Sequence, residues 1–215
     1  MSFLLAASPI PGADKLYLAL GGVVVAVAVL VLDMVKSTIQ SWRETRRKAK
    51  QSSLVYLAEK QVQLDQGTER MCLAVRPNHV ALYRLHNGIY FEGDDSIKKM
   101  SMVSEAVNGM GIGRWKSSSQ DMLMSNFPHL TLGLDGPTKQ DFYVMQEESV
   151  LDFEMGRLMN EREYATSIAL LIRGKKERPL AILILSWCTG HHYLNDLDTA
   201  MLESYRRDFS YTLSD

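Results

Sequence analysis

The chain has 215 residues, of which 46% are hydrophobic and 23% are charged, and its formal net charge is −1. This composition provides enough apolar residues for one ordinary domain plus extra segments. It excludes a protein with a broad basic face for nucleic acid, because positive charge is concentrated in one short run and the signs are mixed elsewhere. That run comprises Lys36, Arg43, Arg46, Arg47, Lys48 and Lys50.

A long apolar segment follows an N-terminal tail at residues 1–15. It begins LYLALGGVVVAVAVLVL and, continued to residue 35, gives about 20 residues, enough to cross the hydrocarbon core of a bilayer. We therefore predict a transmembrane helix over residues 16–35. A cleavable signal peptide is the alternative, but no basic residue precedes Lys15. The residues that carry the prediction are Leu16, Gly21, Gly22, Val25 and Leu32.

The same segment predicts where the protein resides. Most of the flanking Lys and Arg residues follow the span and only Lys15 precedes it. Because the side with more Lys and Arg stays in the cytoplasm, the charges place the C-terminal domain there. The sequence thus predicts a single-pass protein of the inner membrane, with the lipid bilayer as a partner.

Residues 36–76 form a predicted basic helical connector. Apolar side chains recur in its second part at steps of three and four residues, which is the spacing of a heptad seam. Such a seam favours parallel self-association into a homo-oligomer. The alternative is that the second half of the seam packs on the protein's own domain. The seam residues are Leu54, Leu57, Leu64 and Met71.

Residues 77–215 carry the strand signals of a folded domain. The alternating run at 79–85 is followed by Asn87-Gly88, a strong hairpin signal because both residues tolerate positive φ. Further strands are predicted at 142–145, 165–172 and 180–187. The last two are nearly continuous apolar runs, as expected of central strands that are covered on both faces.

Helices are predicted between and after these strands, near residues 150–160 and from Asn195, as N-cap, to about 213. The stretch 117–137 is predicted to be rich in loops. Sequential strands usually lie next to each other, so the order predicts an α+β domain with one antiparallel sheet and helices against one face.

The order of elements resembles the GAF/PAS-like sensor fold. A strand similar to HVALYRL follows the first helix of that fold, and a hairpin similar to ATSIALLIRGKKERPLAILILSW precedes its last helix. The resemblance covers about residues 55–213 and concerns the fold rather than an activity. It implies a sensor or interaction module, which on this sequence would be tethered to the membrane and without lytic activity.

A narrower resemblance is to the T-type (class III) single-span holins of tailed phages. It rests on LYRLHNGIYFEG followed by KKMSMVSE, and on LAILILSWCTGHHYLNDLDTAMLESY near the end. The resemblance implies a protein that oligomerises in the inner membrane to permit host cell lysis, with a regulatory globular domain. It also implies a periplasmic globular domain, whereas the flanking charges favour the cytoplasm.

No group of residues predicts catalysis, so the protein is not expected to be an enzyme and no cofactor is expected. Cys188, His191 and His192 lie close together in the sequence, but a structural zinc site needs four ligands and no second pair has suitable spacing. No metal site is therefore predicted. Cys72 and Cys188 are interpreted either as one disulfide or as two small buried side chains.

A GAF-like domain implies a cavity between the sheet and the loops for a small ligand, or a surface for a regulatory protein. Its candidate walls are Tyr83, Tyr90, Trp115, Phe127 and Phe142, and the alternative is a packed core. The wider region predicted for a ligand or partner comprises His86, Asn87, Gly88, Trp115, His191 and His192.

Overall fold

The computed structural model describes residues 29–30, 32–46, 53–90, 96–109, 112–137, 140–190 and 192–214. The chain divides into two compact units, Met1–Ser53 and Leu54–Asp215. In the first unit the described residues are helical at 29–30 and 32–46. Side chains along this helix are exposed, including that of Trp42, whose ring lies 3.9 Å from the guanidinium carbon of Arg46.

The predicted transmembrane helix and the predicted single-pass location in the inner membrane are corrected. Within the described ranges no helix combines the length and the apolar character that crossing a bilayer requires. The described residues of the predicted span, 29–30 and 32–35, include the charged side chain of Asp33. Of the residues that carried the prediction, only Leu32 is described. Those outside the described residues are Leu16, Gly21, Gly22 and Val25.

The second unit is an α+β domain built on one sheet. Its helices are α1 (Leu54–Val75), α2 (Pro128–Asp135), α3 (Phe153–Glu161) and α4 (Asp196–Ser214). Its strands are β1 (His79–Tyr90), β2 (Ser96–Val107), β3 (Met122–Leu123), β4 (Tyr143–Gln146), β5 (Thr166–Arg173) and β6 (Pro179–Trp187). Short 3₁₀ turns occupy Met124–Asn126 and Lys175–Glu177.

The six strands pair in the order β3-β2-β1-β6-β5-β4, and every pair is antiparallel. Strands β5 and β6 are buried along nearly their whole length, which confirms the sequence prediction for these two apolar runs. Because successive side chains of a strand point to opposite faces, such runs require cover on both sides of the sheet.

Helices cover both faces of the sheet, which corrects the prediction of helices on one face. Helices α1 and α4 pack on the face that carries Ile168 and Leu170 of β5. Helices α2 and α3 pack on the opposite face, which carries Ala169 and Leu171 of the same strand. The reason is that consecutive residues of β5 and β6 are apolar. Because successive side chains point to opposite faces of the sheet, both faces must be covered.

The Asn87-Gly88 pair does not form the predicted hairpin turn. Strand β1 continues through both residues to Tyr90, and the pairing with β2 shifts register between Asn87 and Tyr90. A glycine inside a strand often marks such an irregularity, because it relaxes the backbone where pairing is uneven. The connection from β1 to β2 falls at residues 91–95, outside the described residues.

The two halves of the predicted seam on α1 differ in burial. Leu54 and Leu57 are exposed, whereas Leu64 and Met71 are buried in the domain's own core. Gly67 lies so close to α4 that an added Cβ atom would be 2.7 Å from the Phe209 ring. The second half of the seam therefore packs within the domain, and self-association remains a prediction for the exposed first half.

Candidate ligand-binding site

An opening lined mostly by apolar groups, here called the apolar pocket, is a cavity of about 330 Å³ between the sheet and α2. Its floor is formed by Leu85 of β1, Leu171 of β5 and Ile182 of β6. Helix α2 supplies a wall through Thr131 and Leu134. Strands β1 and β6 are antiparallel, so the last residues of β1 lie beside the first residues of β6. The pocket lies at this end of the sheet.

The rim of the apolar pocket carries several polar groups. The His86 Nε2 atom lies 2.9 Å from the Ser101 hydroxyl, and the Lys98 ammonium donates to the Asn87 side-chain oxygen at 2.9 Å. Asp135 accepts a hydrogen bond from Arg173 at 2.5 Å. Arg178 is exposed on the same rim and forms no ion pair within the described residues. Since the acid is already paired with Arg173, the rim has an excess of positive charge.

A second cavity, here called the arginine cavity, lies on the same face at the opposite end of β1 and β6. It measures about 20 Å³. Its polar lining includes His79, Tyr83, Arg162 and Tyr164, and its apolar lining is dominated by methionine side chains. Those methionines are Met100, Met122, Met155 and Met159.

A buried acid and a buried imidazole form the inner side of this region. The His79 Nε2 atom lies 3.3 Å from a carboxylate oxygen of Glu105, and both side chains are almost fully buried. Burial lowers the pKa of His79, so the neutral ring donates to the carboxylate. Burial by itself would raise the pKa of Glu105, but hydrogen bonds from His79 and from the Trp115 and Lys116 amides outweigh it and lower that pKa.

Arg162 enters the cavity from the end of α3. Its guanidinium donates to the Ser119 hydroxyl at 2.8 Å and to the Tyr83 hydroxyl at 3.4 Å, and its carbon lies 5.0 Å from the centre of the Trp115 ring. Its Nε atom is buried and has no hydrogen-bond partner among the described residues. Glu163, at φ 56°, then turns the chain into β5.

Tyr164 completes the cavity after this turn. Its backbone amide donates to the Met159 carbonyl at 2.8 Å, which ties it to α3, and its ring stacks on His79 with 5.7 Å between ring centres. The side chain is 3% exposed, and its hydroxyl has no partner among the described residues. Burial raises the pKa of this hydroxyl, which therefore stays protonated and able to donate.

The residues predicted for a ligand or partner are distributed over several places. His86 and Asn87 border the apolar pocket, and Trp115 lies against Arg162 at the arginine cavity. His192 instead stacks on Trp187 at 3.9 Å between ring centres. Gly88 lies inside β1, and His191 lies outside the described residues.

The predicted aromatic walls are also dispersed. Tyr83 lines the arginine cavity, whereas Phe127 is buried in the core beneath α2. Phe142 packs on the opposite face of the sheet, and the side chain of Tyr90 lies outside the described parts. Arg162 and Tyr164 were not predicted from the sequence, because a polar residue between a helix and a strand carries no local sign of its burial.

The cysteines and histidines do not assemble a recognisable metal centre within the described residues. Cys72 and Cys188 are both free, which settles the disulfide alternative in favour of separate side chains. Burial raises the pKa of the Cys72 thiol to about 11. This thiol donates to the Pro77 carbonyl oxygen at 3.6 Å, so it fills the core as a small side chain.

Comparison with known proteins gives matches among solved structures alone. No family model matches the sequence, and no curated protein does. The phycoerythrobilin-bound GAF domain of a cyanobacterial phytochrome matches with a TM-score of 0.54 and 9% identity, over 81% of this chain and 94% of that chain. The Thermosynechococcus elongatus PixJ GAF domain matches with a TM-score of 0.52 and 10% identity, over 75% and 86%.

A third structure extends the match beyond photoreceptors. The GAF domain/HD domain protein from Geobacter sulfurreducens has a TM-score of 0.52 and 9% identity, over 72% of this chain and 91% of that chain. The domain has a GAF-like fold. This confirms the predicted fold of the globular part, whereas nothing in these comparisons supports a phage holin, lytic activity or a homo-oligomer. At such identities the likeness concerns the GAF fold alone.

Proposed function

We propose that the GAF-like domain is a sensor module that binds a small molecule in the apolar pocket. The observation that carries the proposal is an opening of about 330 Å³ with an apolar floor and polar groups on its rim. This volume falls within the range of ligand pockets, roughly 300–1,000 Å³, and the combination of apolar lining with a few polar groups is typical of them.

The lining defines the chemistry of the ligand. Leu85, Leu171 and Ile182 favour a flat or branched apolar body, and the positive rim at Lys98 and Arg178 favours an acidic substituent. Two of the similar solved domains are described as phycocyanobilin-bound and phycoerythrobilin-bound. The volume here lies at the small end of the usual range, so the ligand of this domain is expected to be more compact than a bilin.

The proposal concerns binding without catalysis and without lysis. Signal output would follow from movement of α2, which forms one wall of the pocket and packs on β5. A regulatory protein that reads this movement is part of the proposal.

The test uses 1-anilinonaphthalene-8-sulfonate, an apolar anion whose fluorescence rises in apolar surroundings. Thr131 faces the pocket from α2, whereas the adjacent Leu132 is 57% exposed. Thr131→Trp should fill the pocket and weaken probe binding by at least about tenfold, while the matched control Leu132→Trp should bind like the unsubstituted chain. The probe is excited at its own absorption band, so that the added indole does not contribute.

A second variant guards against a folding defect in Thr131→Trp. Arg178 is exposed, so Arg178→Glu should leave the fold intact, which circular dichroism checks. The affinity for the anionic probe should fall by roughly three- to tenfold. Equal probe binding by the Thr131 and Leu132 variants, with Arg178→Glu also unchanged, would overturn the proposal.

A further inference from the structure

Two residues that line the arginine cavity carry hydrogen-bond donors without a partner in the described part of the chain. The Nε atom of Arg162 and the hydroxyl of Tyr164 are both buried and have no partner among the described residues. Both residues line the same cavity. Buried polar groups are nearly always hydrogen-bonded, so two unused donors that border one cavity require an explanation.

The chemistry of these groups specifies an acceptor with negative charge. A guanidinium Nε–H donates and cannot accept, and the Tyr164 hydroxyl stays protonated because burial raises its pKa. The nearby acid, Glu105, already accepts hydrogen bonds from His79, Trp115 and Lys116. Within the described residues no carboxylate forms an ion pair with Arg162, so its charge lacks a direct counter-ion.

The remaining lining specifies what is attached to that charge. Methionine side chains and Leu158 enclose the cavity beside the two donors. Methionine is unbranched and adapts its shape, so it can make room for a small apolar group. The present volume of about 20 Å³ corresponds to little more than one water molecule, so the methionine side chains must move to admit a carboxylate. Only a short tail is compatible with such a limited movement.

We propose that the arginine cavity is a second ligand site, specific for a small carboxylate with a short apolar tail. The carboxylate accepts hydrogen bonds from Arg162 Nε and the Tyr164 hydroxyl, and its tail lies among Met122, Met155 and Met159. The other donors of the guanidinium remain bonded to Ser119 and Tyr83, which hold it in place. This site goes beyond the proposed apolar pocket and does not depend on it.

Propionate is the test probe, and propionamide is its neutral counterpart of the same shape. Each is titrated into the full chain at constant ionic strength, and binding is followed by chemical-shift changes in NMR spectra. We expect propionate to bind and propionamide to bind at least about tenfold more weakly, because a hydrogen bond to a charged group is the stronger kind. Tyr164→Phe removes one hydroxyl and should lower the affinity for propionate by about tenfold.

Leu132→Trp, at an exposed position of α2 that lines neither cavity, serves as the matched control and should bind propionate normally. Arg162→Gln removes the charge and should abolish propionate binding; if that variant does not fold, the Tyr164→Phe measurement is decisive. Equal binding of propionate and propionamide, or unchanged propionate binding by Tyr164→Phe, would overturn the second site. Failure of the sulfonate probe alone would count against the apolar pocket only.

Discussion

The same sheet face carries the apolar pocket at one end and the arginine cavity at the other, and the two differ in where their charges lie. At one end, Leu85 and Ile182 leave a wide apolar opening whose charges stand on the rim. At the other end, His79 and Tyr164 surround a small cavity whose charges lie inside. The first site is defined by its open volume, and the second by two buried donors that have no partner among the described residues. A site of small volume can therefore still have well-defined chemistry.

The largest effect is expected at the arginine end, where polar groups depend on one another. Glu105→Ala leaves the Trp115 and Lys116 amides and the His79 ring without their acceptor. Loss of such buried partners should lower the free energy of unfolding by about 3 kcal/mol. Urea denaturation measures this change. Glu69→Ala, at an exposed acid inside α1, should change the free energy of unfolding by less than about 1 kcal/mol.

If Glu105→Ala lowered the free energy of unfolding no more than Glu69→Ala, the buried network would contribute nothing and the distinction between the two ends would fail. Glu105→Gln sharpens the result. Glutamine keeps the shape and one acceptor oxygen, so the free energy of unfolding of Glu105→Gln should lie between those of the unsubstituted chain and Glu105→Ala.

A smaller effect should appear as a dependence of stability on pH. The folded state lowers the pKa of His79 below its ordinary value of 6.5, so between the two values the unfolded chain binds more protons. The neutral His79 ring therefore makes its full contribution to the free energy of unfolding above about pH 6.5. This contribution is lost as the pH falls toward the pKa that His79 has in the folded state. Glu105, whose pKa is also lowered, adds a further loss below its ordinary value of 4.5.

The measurement is urea denaturation at pH 7.5 and pH 5.5, for the unsubstituted chain and for His79→Gln. We expect the unsubstituted chain to lose stability on acidification and His79→Gln to lose less. An identical loss in both proteins would show that His79 does not carry the dependence. The apolar pocket contains no comparable buried pair among the described residues, so Thr131→Trp should leave the pH dependence unchanged.

Much of the fold could be predicted because some signals are local. The apolar runs of β5 and β6 predicted central strands, and Asn195 predicted the start of α4, where its side chain accepts a hydrogen bond from the Asp198 amide at 2.8 Å. Helix α2 was missed because it has only 8 residues and contains a glycine. The Asn87-Gly88 signal gave a wrong turn because cross-strand pairing, which is not local, overrides it.

The candidate sites were less accessible to sequence reasoning. His86 was predicted from its place beside Asn87-Gly88, and it does border the apolar pocket. Glu105 and Arg162 come from a strand and from the end of a helix far apart in the chain, and only the folded sheet brings them into one region. Their burial, and the unused donor of Arg162, depend on tertiary packing that no local pattern records.

The most direct test of ligand binding at the apolar pocket is an NMR titration with 13C-methyl-labelled methionine. Met124 borders the apolar pocket, whereas Met155 and Met159 border the arginine cavity. We predict that 1-anilinonaphthalene-8-sulfonate shifts the Met124 methyl signal and leaves those of Met155 and Met159 in place. A Met124 signal that does not move while the probe is bound would contradict the account.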